Sequence, residues 1–467
     1  MLANNDLPFA SLIEVAANLK SGALSSAALT ETMLARIATV DADLHSYLVV
    51  MADEARAQAR TADAEIAVGR YRGPLHGVPI AIKDLFYTAG VPATFGSMAY
   101  KDFKANYTAT LVERLVAAGA VILGRLHLHE GALAPHHPGF GEAPNHPYVK
   151  GYWPGGSSSG SGVATAAGLC FGSLGSDTGG SIRFPSGANG LTGLKVTWGR
   201  VSRYGVFTLA NSLDTVGPMC RSAADAAAMM DVIAGHDVND PTSLTGPVPN
   251  YLGSLEGVFG ARDLRIGIDW DYVSTDTDPE IVAGIKAALD VYRSIGAQIV
   301  PIKVPSVEAA ARLQLVIMET ECANYHRELF KADPSGFGEL KGVIERGFAY
   351  DPTVVASAYI EKDRFKGELM KTFEAVDVIA APVMPKIGIL YDELGDVFKS
   401  IPQFGRYCGP YNMSGSPTIT FPTGMSSIGL PLAMQLIGRH LGEATLLKAG
   451  HAFQQATAWH RQRPKLQ

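Results

Sequence analysis

The sequence predicts an α/β fold in which helices cover both faces of a largely buried central β-sheet. Segments with helical periodicity alternate with short apolar strands, and the composition, 47% hydrophobic and 18% charged, is that of an ordinary globular protein. No repeat, low-complexity stretch or long linker interrupts the chain. We therefore expect residues 1–467 to form a single large domain.

The first half of the chain contains two predicted helices and one predicted strand. Residues 25–40 place apolar side chains at helical spacing after two serines that can cap the helix. A second helix is predicted to start near Thr110, because Thr110 and Glu113 have the S/T-x-x-E spacing of a capping box. The apolar run at residues 121–123 follows a glycine and is predicted to be a strand.

The same alternation returns further along the chain. Residues 264–268 and 298–300 are predicted strands, and Asp278 followed by proline is predicted to open a helix that ends near residue 294. Between these two halves, residues 136–161 and 172–190 are rich in Gly, Ser, Pro and Asn and lack periodicity. Long irregular segments inside a compact enzyme usually carry function, so we look there for the site.

Charge and cysteine content exclude several classes of protein. The formal charge is -6, with 39 basic and 45 acidic residues and no block of like charges, which indicates neither nucleic acid nor an anionic membrane as a partner. A small neutral substrate fits better. The four cysteines are far apart without a CxxC pair, so we expect them to be reduced and buried.

The first residues of the chain bear on its location. They lack a basic region followed by an apolar core, and no apolar run elsewhere reaches the length of a membrane-spanning helix. We therefore expect a cytoplasmic protein. A homodimer is one arrangement that the sequence leaves open.

Three segments carry candidate chemistry. The first is GGSSSGSG at residues 155–162, followed by a run of small residues. A flexible linker is the ordinary interpretation of such a string, but a linker would not continue into a helix of small residues suited to close backbone packing. A phosphate-binding loop is also disfavoured, since no Lys-Ser/Thr follows at the required spacing.

The second segment, GSDTGGSIRFP, spans residues 175–185 and places two glycines before Ser181. Such glycines allow several N–H groups to converge on one oxyanion, although a Gly-Gly-Ser turn is also common as plain structure. The third segment, GVPIAIKD at residues 77–84, ends an apolar strand-like run with Lys83. Considered alone, that lysine would be expected to extend to solvent.

Taken together, GGSSSGS, GSDTGGSIRFPS and GVPIAIKD resemble the amidase-signature family. In that family the first serine after the paired glycines lies 24 positions before the nucleophile, an interval that Ser157 and Ser181 keep. The resemblance extends over nearly the whole chain and is less clear from about residue 240 to 375. It implies a single domain built on a mixed central β-sheet with helices on both faces.

The resemblance also implies the roles of individual residues. Ser181 would be the nucleophile that forms an acyl-enzyme, and Ser157, after a cis peptide bond, would pass a proton between Ser181 and the base Lys83. The backbone N–H groups of Thr178, Gly179, Gly180 and Ser181 would form the oxyanion hole. No cofactor and no metal are implied, and the substrate would be a small amide.

Elementary chemistry agrees with these roles. A serine hydroxyl needs a base within hydrogen-bond reach, and a lysine can serve as that base only when it is neutral, a form that burial favours. A second serine can accept and donate a proton in the same step. We assign Asp177 and Arg183, which flank the nucleophile, to shaping the loop.

Other functions remain open from the residues alone. Five histidines, His127, His129, His136, His137 and His146, invite a metal hypothesis, but they show no HExxH motif or ligand set at helical spacing. His136 and His137 are instead candidates for the substrate entrance. Among activities, a carbamate, urethane or ester hydrolase of the same family and the A-type subunit of an amidotransferase complex are alternatives to an amidase.

Substrate specificity is expected from residues 308–376, where the resemblance is weak. Five apolar or aromatic side chains there indicate a pocket for an apolar acyl or aryl group: Met318, Tyr325, Phe330, Phe348 and Tyr350. The alternative is that they belong to the cores of helices.

Overall fold

A single mixed β-sheet organises the protein, which is described here as a computed structural model covering residues 6–257 and 260–466. Within that part of the chain the sheet has eleven strands. In chain order they are β1 Tyr47–Val50, β2 Pro79–Lys83, β3 Val121–Leu126, β4 Gly172–Asp177, β5 Thr192–Lys195, β6 Thr215–Cys220, β7 Arg265–Ile268, β8 Gln298–Pro301, β9 Val378–Pro382, β10 Thr418–Met425 and β11 Pro431–Gly438.

The order of strands across the sheet is β1-β3-β2-β4-β6-β5-β10-β11-β9-β7-β8. Parallel pairing joins β3, β2 and β4 at one end and β9, β7 and β8 at the other, and antiparallel pairing joins the strands between and the edge strand β1. The predicted α/β class with a mixed sheet is therefore confirmed.

Helices flank this sheet. Those of the described residues are α1 Leu12–Lys20, α2 Ser26–Leu44, α3 Ala52–Ala67, α4 Thr110–Ala117, α5 Ser159–Ala166, α6 Arg183–Ala188, α7 Ala223–Ile233, α8 Trp270–Ser274, α9 Pro279–Ser294, α10 Glu308–Ala332, α11 Leu340–Ala349, α12 Pro352–Ala375, α13 Leu394–Lys399, α14 Ile401–Phe404, α15 Gly409–Met413 and α16 Glu443–Ala456. Among them, none combines the length and the apolar character needed to cross a bilayer.

Local sequence explains where several helices begin. The side chain of Ser25 caps α2 by accepting a hydrogen bond from the N–H of Ala28, and Asp278 caps α9 in the same way with a proline in its first turn. The predicted capping box at Thr110 is wrong. Ala109 is the N-cap of α4, and the Thr110 hydroxyl donates instead to a carboxylate oxygen of Asp237.

The Gly- and Ser-rich segments are more regular than their composition indicates. Residues 172–190 contain the strand β4 and the short helix α6, so the prediction that this stretch is irregular is wrong. Every residue of β4 is buried. Glycine and serine suit this position because β4 lies between β2 and β6 under close-packed elements.

The arrangement of β2 and β4 positions the candidate site. The two strands are parallel neighbours, with Ala81 beside Ser173 and Ile82 beside Leu174. Because carboxyl ends of parallel strands meet at one edge of a sheet, Lys83 at the end of β2 is brought to the end of β4. The turn that carries Ser181 starts at that end.

Candidate active site

Lys83 is the last residue of β2 and is fully buried. Its ammonium nitrogen donates to three serine hydroxyl oxygens, those of Ser157 at 2.9 Å, Ser158 at 3.0 Å and Ser176 at 2.9 Å. These serines come from two different segments of the chain. The expectation that Lys83, considered alone, extends to solvent is therefore wrong.

Burial changes the acidity of Lys83. It lowers the pKa of the ammonium group from 10.5 to about 7, although the carboxylates of Asp177 and Asp214 act in the opposite direction. Near neutral pH the side chain therefore exists as ammonium and as free amine in comparable amounts. The neutral amine is a base that can accept a proton from one of these hydroxyl groups.

Ser157 follows a cis peptide bond with Gly156 and is itself almost fully buried. The next residue, Ser158, donates its N–H to the carbonyl oxygen of Ser181 at 3.3 Å, which joins the two serine segments through the backbone. Ser157 and Ser181 line the same cavity. Among the hydrogen bonds of residues 6–257 and 260–466, none joins their two hydroxyl groups.

The helix α5 that follows Ser158 packs against other backbone without room for larger side chains. A Cβ atom on Gly160 would lie 2.3 Å from the carbonyl oxygen of Ser46 and 2.5 Å from the amide nitrogen of His127. A Cβ atom on Gly156 would lie 2.4 Å from Nε2 of His129. These contacts explain the run of small residues and exclude the flexible-linker interpretation.

The turn between β4 and α6 presents backbone donors beside Ser181. The N–H groups of Thr178, Gly179 and Ser181 have no acceptor among the hydrogen bonds of the described chain, and all three residues line the cavity. Gly180 differs, because its N–H donates to Asp177 Oδ1 at 2.8 Å. The prediction that Gly180 contributes to the oxyanion hole is not supported by this geometry, which directs its N–H elsewhere.

Asp177 and Arg183 hold this turn in place. Arg183 donates from Nη2 to Asp177 Oδ1 at 2.8 Å and from Nε to Oδ2 at 3.0 Å, and both side chains are fully buried. Burial alone would raise the pKa of Asp177, but the positive charge and hydrogen bonds of Arg183, together with Lys195 and Asn412, hold that pKa below its usual value. Asp177 is thus a permanent carboxylate that binds the turn, as predicted from its position.

Two further contacts fix the first residue of the turn. The Thr178 hydroxyl donates to Asp214 at 2.6 Å, and the side-chain amide of Gln314 donates to the Thr178 carbonyl at 2.9 Å. Gln314 belongs to α10, a helix that the sequence links only with substrate specificity. The donors of the turn are therefore supported on both sides before any substrate binds.

The cavity in front of Ser181 is largely apolar. Beyond the serines and the turn, it is lined by side chains from several distant segments, namely Ala132, Leu133, Trp153, Phe184, Leu209, Ala311, Met318, Leu394, Val397 and Phe404. His129 and Gln314 add polar atoms. Among the described residues that line it, none is an Asp, Glu, Lys or Arg.

Only Met318 of the five predicted pocket residues lines this cavity. Phe330 packs against Phe337 and Phe348, and the hydroxyl groups of Tyr325 and Tyr350 contact Tyr87 and Glu319. The prediction is wrong for Tyr325, Phe330, Phe348 and Tyr350, because helical packing directs them away from Ser181. The aromatic residues that do line the cavity, Trp153, Phe184 and Phe404, have no local sequence pattern that identifies them.

Three of the five histidines, His127, His129 and His136, form a cluster of rings. The rings of His127 and His129 lie 4.9 and 4.4 Å from that of His136, and burial lowers the pKa of all three groups. His136 shares a hydrogen bond with Ser159 at 2.8 Å, and His137 accepts one from the N–H of Gly139. Neither lines the cavity, whereas His129 does, and a place for His136 and His137 at the substrate entrance stays a prediction.

Metal-ligand geometry is a separate question for this cluster. Over residues 6–257 and 260–466, no group of three or more His, Cys, Asp or Glu side chains is arranged to hold a metal ion. All four cysteines are free and buried, as predicted.

The chain is similar to known proteins over nearly its whole length. Residues 28–447 match the model of the family described as Amidase. A putative amidase, AmiD, of Mycobacterium tuberculosis strain ATCC 25618 / H37Rv is 42% identical over 460 residues, covering 97% of this chain and 95% of the relative. The A-type subunit of the glutamyl-tRNA(Gln) amidotransferase of Anaeromyxobacter sp. strain K is 40% identical over 473 residues, 95% of each chain.

A solved structure agrees in fold. The peptide amidase of Stenotrophomonas maltophilia superposes with a TM-score of 0.84 at 30% identity, covering 97% of this chain and 98% of the other.

Proposed function

The chain belongs to the amidase family and is an enzyme that hydrolyses carbon–nitrogen bonds, and on this premise we propose that Ser181, Ser157 and Lys83 form its catalytic triad. One observation carries the proposal. Lys83 donates to Ser157 at 2.9 Å from a site that lowers its pKa to about 7, and Ser157 shares a cavity with Ser181.

Attack by Ser181 begins the proposed reaction. Its hydroxyl oxygen bonds to the amide carbonyl carbon while its proton passes to Ser157, whose own proton passes to neutral Lys83. The carbonyl oxygen becomes an oxyanion, which the N–H groups of Thr178, Gly179 and Ser181 stabilise. This set omits Gly180, whose N–H is engaged by Asp177.

The second half of the reaction returns the protons. As the carbon–nitrogen bond breaks, the leaving nitrogen takes a proton through Ser157 from the Lys83 ammonium, and an acyl ester on Ser181 remains. Water then attacks that ester with Lys83 as the base, which releases the carboxylate and restores the serine. Among the described residues no hydrogen bond joins the hydroxyl groups of Ser157 and Ser181 to each other, and catalytic hydrogen bonds often shorten only in the complex.

The apolar lining of the cavity favours a neutral amide substrate with an apolar acyl or aryl group. Glutamine, the ammonia donor of an amidotransferase, carries an ammonium and a carboxylate that would both lose water on entry. The desolvation of such charges is unfavourable without partners of opposite charge. No charged side chain of the described residues lines the cavity, which favours an amidase over the amidotransferase alternative.

A carbamate is a second substrate that the same attack accommodates. Its carbonyl presents the same oxygen to the turn, and its nitrogen leaves in the same way. Ser181 would attack both substrate types in the same way, so the rates of amide and carbamate hydrolysis distinguish them.

The free state of all four cysteines also supports the proposed cytoplasmic location.

The test is an activity screen with the purified chain alone. We expect turnover of aliphatic or aryl amides, with carbamates and esters as parallel series, and no ammonia release from glutamine. A fluorophosphonate probe should label the wild-type protein and leave Ser181→Ala unlabelled. Amide turnover that survives in Ser181→Ala, or a glutaminase activity that appears only with co-purifying chains, would contradict the proposal.

A further inference from the structure

Trp153 lines two cavities. It belongs to the lining of the catalytic cavity and also to that of a second cavity. Among the described residues, it is the one that the two linings share. Only 6% of its surface is exposed, so the side chain is almost fully buried where the two linings meet.

The second cavity is narrow, with a volume of about 30 Å³, so a longer substrate would enter it only if the cavity were enlarged. Its walls include the apolar side chains of Ile281, Val383, Ile389 and Leu432, and it extends to Lys386, which is exposed. It therefore reaches the protein surface. An alkyl or aryl extension of a substrate would be desolvated there against apolar side chains.

The indole is held in this position from several sides. Its Nε1–H donates to His129 Nε2 at 3.3 Å, and the backbone N–H of Trp153 donates to the carbonyl of Ile389 at 2.7 Å. The rings of Phe184 and Phe404 lie 6.3 and 6.1 Å from that of Trp153. Because the pKa of His129 is lowered to about 3, mainly by burial, this acceptor stays neutral at working pH.

We propose that Trp153 is a specificity-determining residue, whose indole closes the second cavity and limits the length of the substrate group that extends from the reacting carbonyl toward it. This inference rests on the proposed function of Ser181. The wild-type enzyme then prefers compact groups, and removal of the indole joins the two cavities into one elongated site.

The experiment compares Trp153→Ala and Trp153→Phe with the wild type on two series of amides. One series lengthens the acyl group from acetyl to decanoyl on a common anilide, and the other lengthens the amine on a common acyl group. Trp270→Ala is the matched control, because Trp270 is on α8, is 38% exposed and lines neither cavity.

We expect wild-type kcat/KM to fall steeply with length in one of the series. In Trp153→Ala the ratio of long to short substrates in that series should rise by about tenfold or more, the scale of discrimination that apolar pockets achieve. Trp153→Phe, which keeps a ring but lacks the N–H donor, should be intermediate. Trp270→Ala should keep the wild-type ratio.

Two outcomes would overturn the inference. One is a wild-type enzyme that accepts long and short groups equally well in both series, a result that needs no variant to fold. The other is a folded Trp153→Ala whose rates fall in parallel for all substrates. Failure of the proposed function is distinguishable, because it would appear as wild-type turnover that does not depend on Ser181.

Discussion

The ammonium nitrogen of Lys83 lies 2.9 Å from the hydroxyl oxygen of Ser157, although 74 positions separate the two residues in the chain. The pKa of this lysine is lowered to about 7, mainly by burial. Only the neutral amine can take a proton from Ser157. The pH dependence of the reaction should therefore report the ionisation of Lys83.

We predict that kcat/KM for an anilide rises with pH through about 7 and then levels off, because the neutral fraction of Lys83 increases over that range. A pH–rate profile measures this directly. Lys83→Ala should remove the inflection and impair anilides more than esters, whose leaving groups need no proton. A flat profile in the wild type would contradict the role of Lys83 as base.

The same ionisation predicts a change in stability. The pKa of Lys83 is about 7 in the fold and 10.5 in a model compound, so the unfolded chain binds more protons between these values. The contribution of Lys83 to the free energy of unfolding therefore increases with pH across that window. Denaturant titrations at several pH values between neutral and mildly alkaline give the free energy of unfolding. This free energy should rise less steeply with pH in Lys83→Met than in the wild type.

Part of the increase of the free energy of unfolding with pH should persist in Lys83→Met. The pKa of Lys195 is also lowered to about 7, with burial as the largest cause and the charge of Arg183 acting in the same direction. If the free energy of unfolding rose equally steeply with pH in the wild type and in Lys83→Met, Lys83 would not be a group that titrates in this range.

Ser181→Ala should abolish turnover while the protein stays folded. By analogy with other activated serines, the rate should fall by about three to six orders of magnitude. The matched control is Ser186→Ala. Ser186 lies in α6, is fully buried and has a hydroxyl group without a hydrogen-bond partner among the described residues, so its loss should change little. Equal rates for Ser181→Ala and Ser186→Ala would refute the assignment of the nucleophile.

Arg183→Met should destabilise the fold and slow catalysis. It would leave the buried carboxylate of Asp177 without its main partner, a change that typically costs about 3–5 kcal/mol in the free energy of unfolding. The displaced turn should lower kcat more than it raises KM. Chemical denaturation and steady-state kinetics measure these two effects.

The double variant Asp177→Asn/Arg183→Met separates charge from packing. It should be less destabilised than Arg183→Met alone, because no unpaired charge remains. Arg293→Met, which removes an exposed ion pair with Asp290, should unfold like the wild type. If Arg183→Met behaved like Arg293→Met, the pair of Arg183 and Asp177 would have no role in holding the turn.

Prolonged dialysis against a strong chelator should leave the rate unchanged. Each charge that develops in the proposed mechanism is assigned to a backbone donor or to Lys83, so no step needs a Lewis acid. Activity that is lost on chelation and restored by one divalent ion would make the buried histidines, His127 to His136, the leading candidates for the site.

The candidate catalytic segments could be recognised from sequence because their strings together resemble one family, although each string alone also has an ordinary structural explanation. Lys83, Ser157 and Ser181 lie in these strings, and the structure brings their segments together. The strand β4 could not be predicted, because GSLGSD lacks the β-branched and aromatic residues by which strands are recognised. Its conformation depends on pairing with β2 and β6.

The apolar lining of the cavity could not be predicted from local sequence, for a different reason. Residues 394–405 reach the cavity only through tertiary packing, in which Leu394 and Phe404 form a small apolar cluster with Trp153. An aromatic residue on a helix such as Phe330 has the same local appearance as one that lines the cavity. Periodicity identifies which face of a helix is buried, but the identity of the neighbour depends on the whole chain.

The close packing of α5 and of the residues just before it leaves no room for substitution there, in contrast to the lining of the cavity. Any side chain at Gly156 or Gly160 would meet backbone or an imidazole within 2.5 Å, so a library that randomises these positions should yield almost no folded members. The side chains of Met318, Leu394 and Phe404 line the cavity instead, so a substitution there changes the shape of existing space. Laboratory evolution toward new substrates should therefore accumulate changes in that lining and leave α5 untouched.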